Sequence, residues 1–120
     1  MSYNEVTLFG NAAKEGVLRG TESGKKYYCF RLVTSESWTD SSGVKQQKVE
    51  GHNVAVWSKM AEVCNTSIIK GTAVLVVGKL KYRKDENGFN VAEINARHIE
   101  FGKGRAMRMD NDPLVDPFEP

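Results

Sequence analysis

The apolar positions of this chain fall into short runs of period two, interrupted once by a run of helical period. In NEVTLFGN, Val6 and Leu8 alternate against Glu5, Thr7 and Phe9, which predicts a first strand, with Gly10 permitting a bend. The polar stretch through Gly16, Gly20 and Gly24 predicts no element. In KKYYCFRLVTSES, Tyr28, Phe30 and Leu32 alternate against Tyr27, Cys29 and Arg31, a second strand. WTDSSGVKQQ follows as a hairpin tip, with Asp40, Ser41, Ser42 and Gly43 as turn formers, and KVEGHNVAVW is a third strand.

The helical run is SKMAEVCNTSIIKG. Ser58 is placed as its N-cap, Met60, Val63, Cys64 and Ile68 form its apolar stripe, and Gly71 ends it. Then TAVLVVGKLKYRK predicts a fourth strand, DENG a hairpin turn, and FNVAEINARHIEF a fifth strand. Five strands with one helix between strands 3 and 4 is the element order of an all-β OB-fold, a five-stranded Greek-key barrel. Other small folds share those elements, so order alone leaves the topology open. After Phe101 the periodicity stops. The expected organisation is a barrel domain over 1–102 and a flexible linker with a disordered acidic C-terminal tail over 103–120.

Composition then narrows the class. The 120 residues are 40% hydrophobic and 27% charged, the balance of an ordinary globular domain. The formal charge of +2 conceals an asymmetry: residues 1–109 hold 17 bases against 11 acids, a net of +6, and the last four acids fall in DNDPLVDPFEP. A basic body suits a polyanionic partner, although surface lysine also serves solubility. Cys29 and Cys64, far apart and without a C-x-x-C, read as reduced structural thiols. No run has transmembrane length, so no membrane association is expected. The start, Met1-Ser2-Tyr3-Asn4-Glu5, lacks signal-peptide character, which predicts a cytoplasmic chain, or a mitochondrial-matrix one if a leader was removed.

Candidate chemistry points to binding rather than catalysis. G-x-S-x-G, H-E-x-x-H and phosphate-loop motifs are missing, and His52 and His98 stand apart from any metal-ligand spacing. Neither an enzyme nor a cofactor or metal is expected. In HNVAVW the alternation puts Trp57 with Asn53 and Ala55, opposite Val54 and Val56, so a large indole falls on the more polar face. In AVLVVGKLKYR, Lys79, Lys81 and Arg83 continue the face of Ala73, Leu75 and Val77, while Val74, Val76, Leu80 and Tyr82 share the other. Aromatics beside a row of cations make a groove that stacks bases and holds phosphates. The competing reading packs Trp57 under a loop and leaves the lysines as solvated surface. Trp38, among polar and turn-forming neighbours, should project from a hairpin base. Tyr27, Tyr28, Phe89 and Phe101 alternate with core positions and are equally well explained as core.

The segments TSESWTD, EGHNVAVWSKMAEV and IIKGTAVLVVGKLKYRK, with NEVTLFGN before them, resemble successive signatures of the bacterial and mitochondrial single-stranded DNA-binding proteins, from about Asn4 to Phe101 in the same order and spacing. The resemblance implies an OB-fold that assembles as a homotetramer, commonly through pairing of first strands, and that coats single-stranded DNA without regard to sequence in replication, recombination and repair. It implies Trp38 and Trp57 as stacking residues, Trp57 standing where the family pattern V-x-x-F-G-K has Phe. Lys45, Lys48, Lys59, Lys79, Lys81, Arg83 and Lys84 would contact phosphates. His52, matching the His of E-W-H, would lie at subunit contacts.

This chain departs from that pattern. Gly51 replaces the Trp of E-W-H, and no Trp follows Arg83-Lys84. The end resembles the family's acidic Pro-Phe tip, implying that Asp110, Asp112, Asp116 and Phe118 recruit replication or repair proteins, but Glu119 and Pro120 follow the Phe. Two other readings fit the same residues: an OB-fold protein-interaction subunit of a larger complex, and a single-stranded RNA-binding subunit, since stacking does not read the 2′-hydroxyl.

Overall fold

The structure, a computed structural model, describes residues 1–102. The acidic tail with Asp110, Asp112, Asp116 and Phe118 lies outside the described residues. Six strands and one helix follow in the order β1 Val6–Ala12, β2 Val17–Gly20, β3 Lys26–Thr39, β4 Lys45–Trp57, α1 Ser58–Ser67, β5 Ala73–Lys84 and β6 Asn90–Phe101. Strands β1, β5, β6, β4 and β3 are neighbours in that order, and a β1–β3 pairing closes the ring. All these pairings are antiparallel except the parallel β4–β6 pair. The five-stranded barrel with its helix between the third and fourth barrel strands is therefore the OB-fold arrangement.

The sixth strand, β2, hangs outside the ring on β3, where Val17 faces Cys29 and Arg19 faces Tyr27. Sequence pattern predicts no element here. The segment is strand-like because β3 offers it a free edge, while only Leu18 of β2 packs on the core.

Alternation explains the core. Tyr28, Phe30 and Leu32 of β3, Val54 and Val56 of β4 and Val74 and Val76 of β5 turn inward, each no more than 5% exposed. Burying each such side chain contributes about 1.5–3 kcal/mol. On β6 the buried residues are Ile94 and Ile99, an odd spacing that period two forbids. The register resolves it: Val77 faces His98 but Gly78 faces Ala96, so Arg97 is the extra residue of a bulge. Two glycines make close approaches there and at the closure. A Cβ on Gly78 would strike the Asn95 carbonyl, and one on Gly10 would strike that of Val33, where β1 meets β3.

The helix differs from its expected form in three respects. Its buried stripe is Ala61, Cys64 and Ile68, whereas Met60 and Val63 are 39% and 42% exposed. Ala61 and Cys64 have the i, i+3 spacing of one face, Ile68 joins them from the extended C-cap, and the small Ala61 lets the helix approach β3 and β4. Trp57 is the N-cap, without a side-chain cap, and Ser58 is the first residue of α1, with a left-handed φ of 62°. The helix also ends at Ser67, earlier than Gly71 suggests, because Gly71 belongs to the following turn, where its N–H donates to the Ala12 carbonyl (2.8 Å).

Two hairpins run on past the barrel. From Ser35 to the tip, β3 is exposed, and so is its partner from Lys45 to Lys48. Asp40 Oδ1 accepts the Ser42 and Val44 N–H groups (2.9 and 3.0 Å), and Gly43 has φ +81°, so the tip is a fixed turn. The Val44 bond foremost, then that from Gln46, holds the Asp40 carboxyl below its ordinary pKa. Lys79–Lys84 and Asn90–Asn95 form the second arm, closed by the Asp85–Gly88 turn.

Candidate nucleic-acid interface

The outward face of the sheet is built by residues that alternate with the core. One row crosses five strands in register: Val17 faces Cys29, Cys29 faces Ala55, Ala55 faces Asn95, and Asn95 faces Lys79. Beside it runs a second row, Arg19, Tyr27 and Trp57. The Tyr27 and Trp57 rings are stacked, with centroids 4.8 Å apart and planes at 29°. Trp57 remains 36% exposed, so it is supported below by Tyr27 and open above.

These rows form the floor of a groove whose walls carry charge. Arg19, Arg83, Glu86 and Glu93 line it beside Trp57. Lys14, Glu15, Arg31 and Asn53 line its continuation, where Cys29, Arg83 and Glu93 are shared. Arg31 donates to Asn53 Oδ1 at 2.8 Å, and Arg83 pairs with Glu93 at 3.3 Å. Both contacts orient a guanidinium over the groove. The acids make the charge mixed, and the Arg83–Glu93 pair must share its cation with any incoming phosphate. Past Trp57, Lys25, Lys26 and Lys59 surround a further depression, with Lys26 3.9 Å from Glu62.

The candidate residues divide accordingly. Trp57, Arg83 and Lys59 come together at or beside the groove, and Lys79 and Lys81 extend its face along β5. Lys84 falls one residue out of phase and shares the opposite face with Tyr82. Trp38, 47% exposed, sits at the tip of the other arm, where Lys45 joins it around a shallow depression. The β3–β4 pairing is unbroken from Tyr27–Trp57 to Thr39–Lys45, and Trp38 stands an odd number of residues from Tyr27. Trp38 and Trp57 are therefore on opposite faces of the ribbon. Lys48 lies 3.2 Å from Glu50, an exposed pair worth little on its own. His52 is away from the groove, on the phase of Val54 and Val56, and its Nε2 is 2.8 Å from Thr34 Oγ1.

Sequence reasoning did not single out Lys14, Arg19, Arg31, Tyr27 or Asn53. The alternation of β3 does put Arg31 with Tyr27, but only the cross-strand register shows that they meet Asn53 and Trp57. Of the aromatics explained equally well as core, Tyr28 is 1% exposed, and its hydroxyl accepts the Gly16 N–H at 2.6 Å. Phe89 and Phe101 are 69% and 38% exposed and are not core.

The chemistry available is stacking and charge. Burial pushes the Cys29 thiol above its ordinary pKa, a change that Glu93 reinforces and Arg19 and Arg83 oppose, so the groove holds a neutral thiol. Burial pushes the Cys64 thiol up to about 11. Among the described residues, no group of three or more His, Cys, Asp or Glu could hold a metal ion, and no helix is long and apolar enough to cross a membrane.

A sequence model of the Single-strand binding protein family matches residues 3–102. Single-stranded DNA-binding protein 1 of Chlorobaculum tepidum is 38% identical over 85 residues, covering 70% of this chain and 52% of the relative. Single-stranded DNA-binding protein 2 of the same organism is 34% identical, covering 91% and 77%. A single-stranded DNA-binding protein of Neisseria meningitidis is 32% identical, covering 70% and 48%, so the chain spans about half the length of several relatives. Among solved structures, a deletion mutant of the Thermus aquaticus single-stranded DNA-binding protein superposes with a TM-score of 0.77 at 27% identity, covering 86% of this chain and 52% of that one. A Plasmodium falciparum SSB in complex with ssDNA superposes with a TM-score of 0.76 at 25% identity, covering 84% and 96%.

Proposed function

The chain belongs to the single-strand binding protein family, and on that premise we propose that it binds single-stranded DNA without regard to sequence. In this reading it coats exposed strands during replication, recombination or repair. The observation that carries it is the Trp57–Tyr27 stack, open on one side, in a groove walled by Arg19, Arg31 and Arg83. A base laid on Trp57 extends the stack by one ring, and the guanidinium groups hold the phosphates on either side. Every base has a π-face, so such a site does not select sequence. Lys79, Lys81 and Lys59 continue the phosphate path, and Trp38 with Lys45, Lys48 and Lys84 takes up the strand beyond the groove. Since Trp38 and Trp57 belong to opposite faces of the β3–β4 ribbon, one strand reaches both only by turning round the edge of that arm.

Assembly is the second part of the proposal. On the outward face of β1, Phe9 is 62% exposed beside Leu75 and Val77 of β5, an apolar patch suited to a second copy of the chain. Homotetramer formation would use this face, with His52 near a further contact. In this reading the acidic tail, with Asp110, Asp112, Asp116 and Phe118, is offered to replication or repair proteins, its acids steering Phe118 into an apolar slot.

The test is a titration with end-labelled oligo-dT, oligo-U and duplex DNA at two salt concentrations. Oligo-dT should bind tightest, with affinity falling as salt rises. Preference for duplex, or no binding at low salt, would refute the reading. Equal or tighter binding of oligo-U would move it to RNA.

A further inference from the structure

We propose that Asn4 is a positioning residue for single-strand binding: its side chain sets the direction of the β5–β6 arm and so places Lys81 and Arg83 over the groove. The inference deepens the single-strand-binding reading and rests on it. Backbone pairing of β1 with β5 stops at Val6–Gly78, two residues short of Leu80. There the Asn4 side chain takes over. Its Nδ2 donates to the Leu80 carbonyl at 2.9 Å, and its Oδ1 accepts the Leu80 N–H at 3.0 Å. One amide thus reproduces the two-bond exchange of a hydrogen-bonded pair on an antiparallel ladder. The next residue, Glu5, pairs with Arg97, the extra residue of the β6 bulge. The segment ahead of β1 therefore holds both strands at the root of the arm.

That root is where the arm leaves the barrel. Leu80 still packs against the core, whereas Lys81, Tyr82, Arg83 and Lys84 are all exposed. The register shifts just below, between Val77 and Gly78, and a bulge bends its strand and raises the local twist. The direction of the arm is thus set within a few residues, by the bulge and by what grips Leu80. On the β6 side, Asn53 Nδ2 reaches the Ala92 carbonyl at 3.4 Å, a longer contact than either made by Asn4. Direction matters because Arg83, Glu86 and Glu93 of the arm line the groove together with Trp57. Arg83 lies about 10 Å beyond Leu80 at the rise of a strand, so a tilt of about 15° at the root would carry it about 2.5 Å, more than a hydrogen bond tolerates.

The test compares the full chain with Asn4→Ala by anisotropy of end-labelled oligo-dT over a series of salt concentrations, with thermal unfolding alongside. Asn4 is exposed, so the substitution leaves the core intact. Binding should weaken roughly fivefold at low salt. The slope of log affinity against log salt should become shallower by about 1, because each phosphate neutralised on a single strand contributes about 0.7 and Lys81 and Arg83 both lose their place. A contact that served stability alone would lower the Tm and leave that slope unaltered. In a chain already carrying Lys81→Ala and Arg83→Ala, Asn4→Ala should have no further effect on affinity. An unaltered affinity and slope for Asn4→Ala, or an equal loss in the Lys81→Ala/Arg83→Ala background, would overturn the proposal while single-strand binding by the parent stands. If the parent chain gives no anisotropy change at low salt, that reading fails, and the role of Asn4 fails with it.

Discussion

Tyr27 and Trp57 are directly opposed residues of β3 and β4, and their rings stack at 4.8 Å. Tyr27 thereby supports the indole beside the groove, and in the proposed reading Trp57 is the ring left open to a base. We predict that Trp57→Ala weakens oligo-dT binding by roughly tenfold, given ~1–3 kcal/mol per stacked base. Tyr27→Ala should weaken it less, because Trp57 remains but loses its support. Equal affinities for Trp57→Ala and the parent chain, with the fold intact by circular dichroism, would remove the stack from the binding site.

Ser58 follows Trp57 with φ 62°, a conformation that suits glycine better than serine. The family pattern V-x-x-F-G-K has glycine there. Replacing Ser58 by Gly should stabilise the domain by ~1 kcal/mol, less the extra freedom glycine has in the unfolded chain. Thermal unfolding is the check, and a Tm equal to or below that of the parent would mean that the left-handed backbone carries no strain.

Cys64 provides a pH prediction. Its thiol is fully buried, and its pKa rises from 9.0 to about 11 because burial disfavours the thiolate. An unfolded chain ionises this thiol near pH 9, while the folded one keeps its proton. The contribution is therefore fully present below pH 9, falls as the pH rises, and is lost through about 11. Its size is on the order of 3 kcal/mol. Tyr28, raised by burial, adds to the same decline. Urea unfolding between pH 8 and 11 should show a shallower loss for Cys64→Ala than for the parent, and identical slopes would argue against it.

Phe9 tests assembly. Replacing this exposed ring by aspartate puts a charge at the centre of the proposed contact without touching the core. Phe9→Asp should shift the chain to a smaller species in light scattering while leaving its circular dichroism unchanged. An unaltered mass would move the subunit contact to another face.

The barrel was largely legible because its core strands obey period two: Tyr28-Phe30-Leu32 and Val54-Val56 mark their inward faces directly. Where burial and period part company, legibility ends. The β6 bulge at Arg97 needs its partner strand to be seen, and β2 exists through the free edge of β3 rather than through its own pattern. Met60 and Val63 read as core because they are apolar, yet the smaller Ala61 is the residue the barrel accommodates. The site divides in the same way. Trp57 stands out within its own strand, whereas Arg19, Arg31 and Asn53 become parts of one groove only through pairing across three strands.

In the proposed function, bases stack on Trp57 while phosphates meet the surrounding cations. Its most direct test leaves Trp57 as the sole indole, in the variant Trp38→Phe, titrated with oligo-dT at low and moderate salt. We predict quenching of the Trp57 emission that saturates with the binding curve, at an affinity that falls as salt rises. Binding that leaves the Trp57 emission unchanged, or an affinity indifferent to salt, would mean that the strand does not stack on Trp57 among these cations.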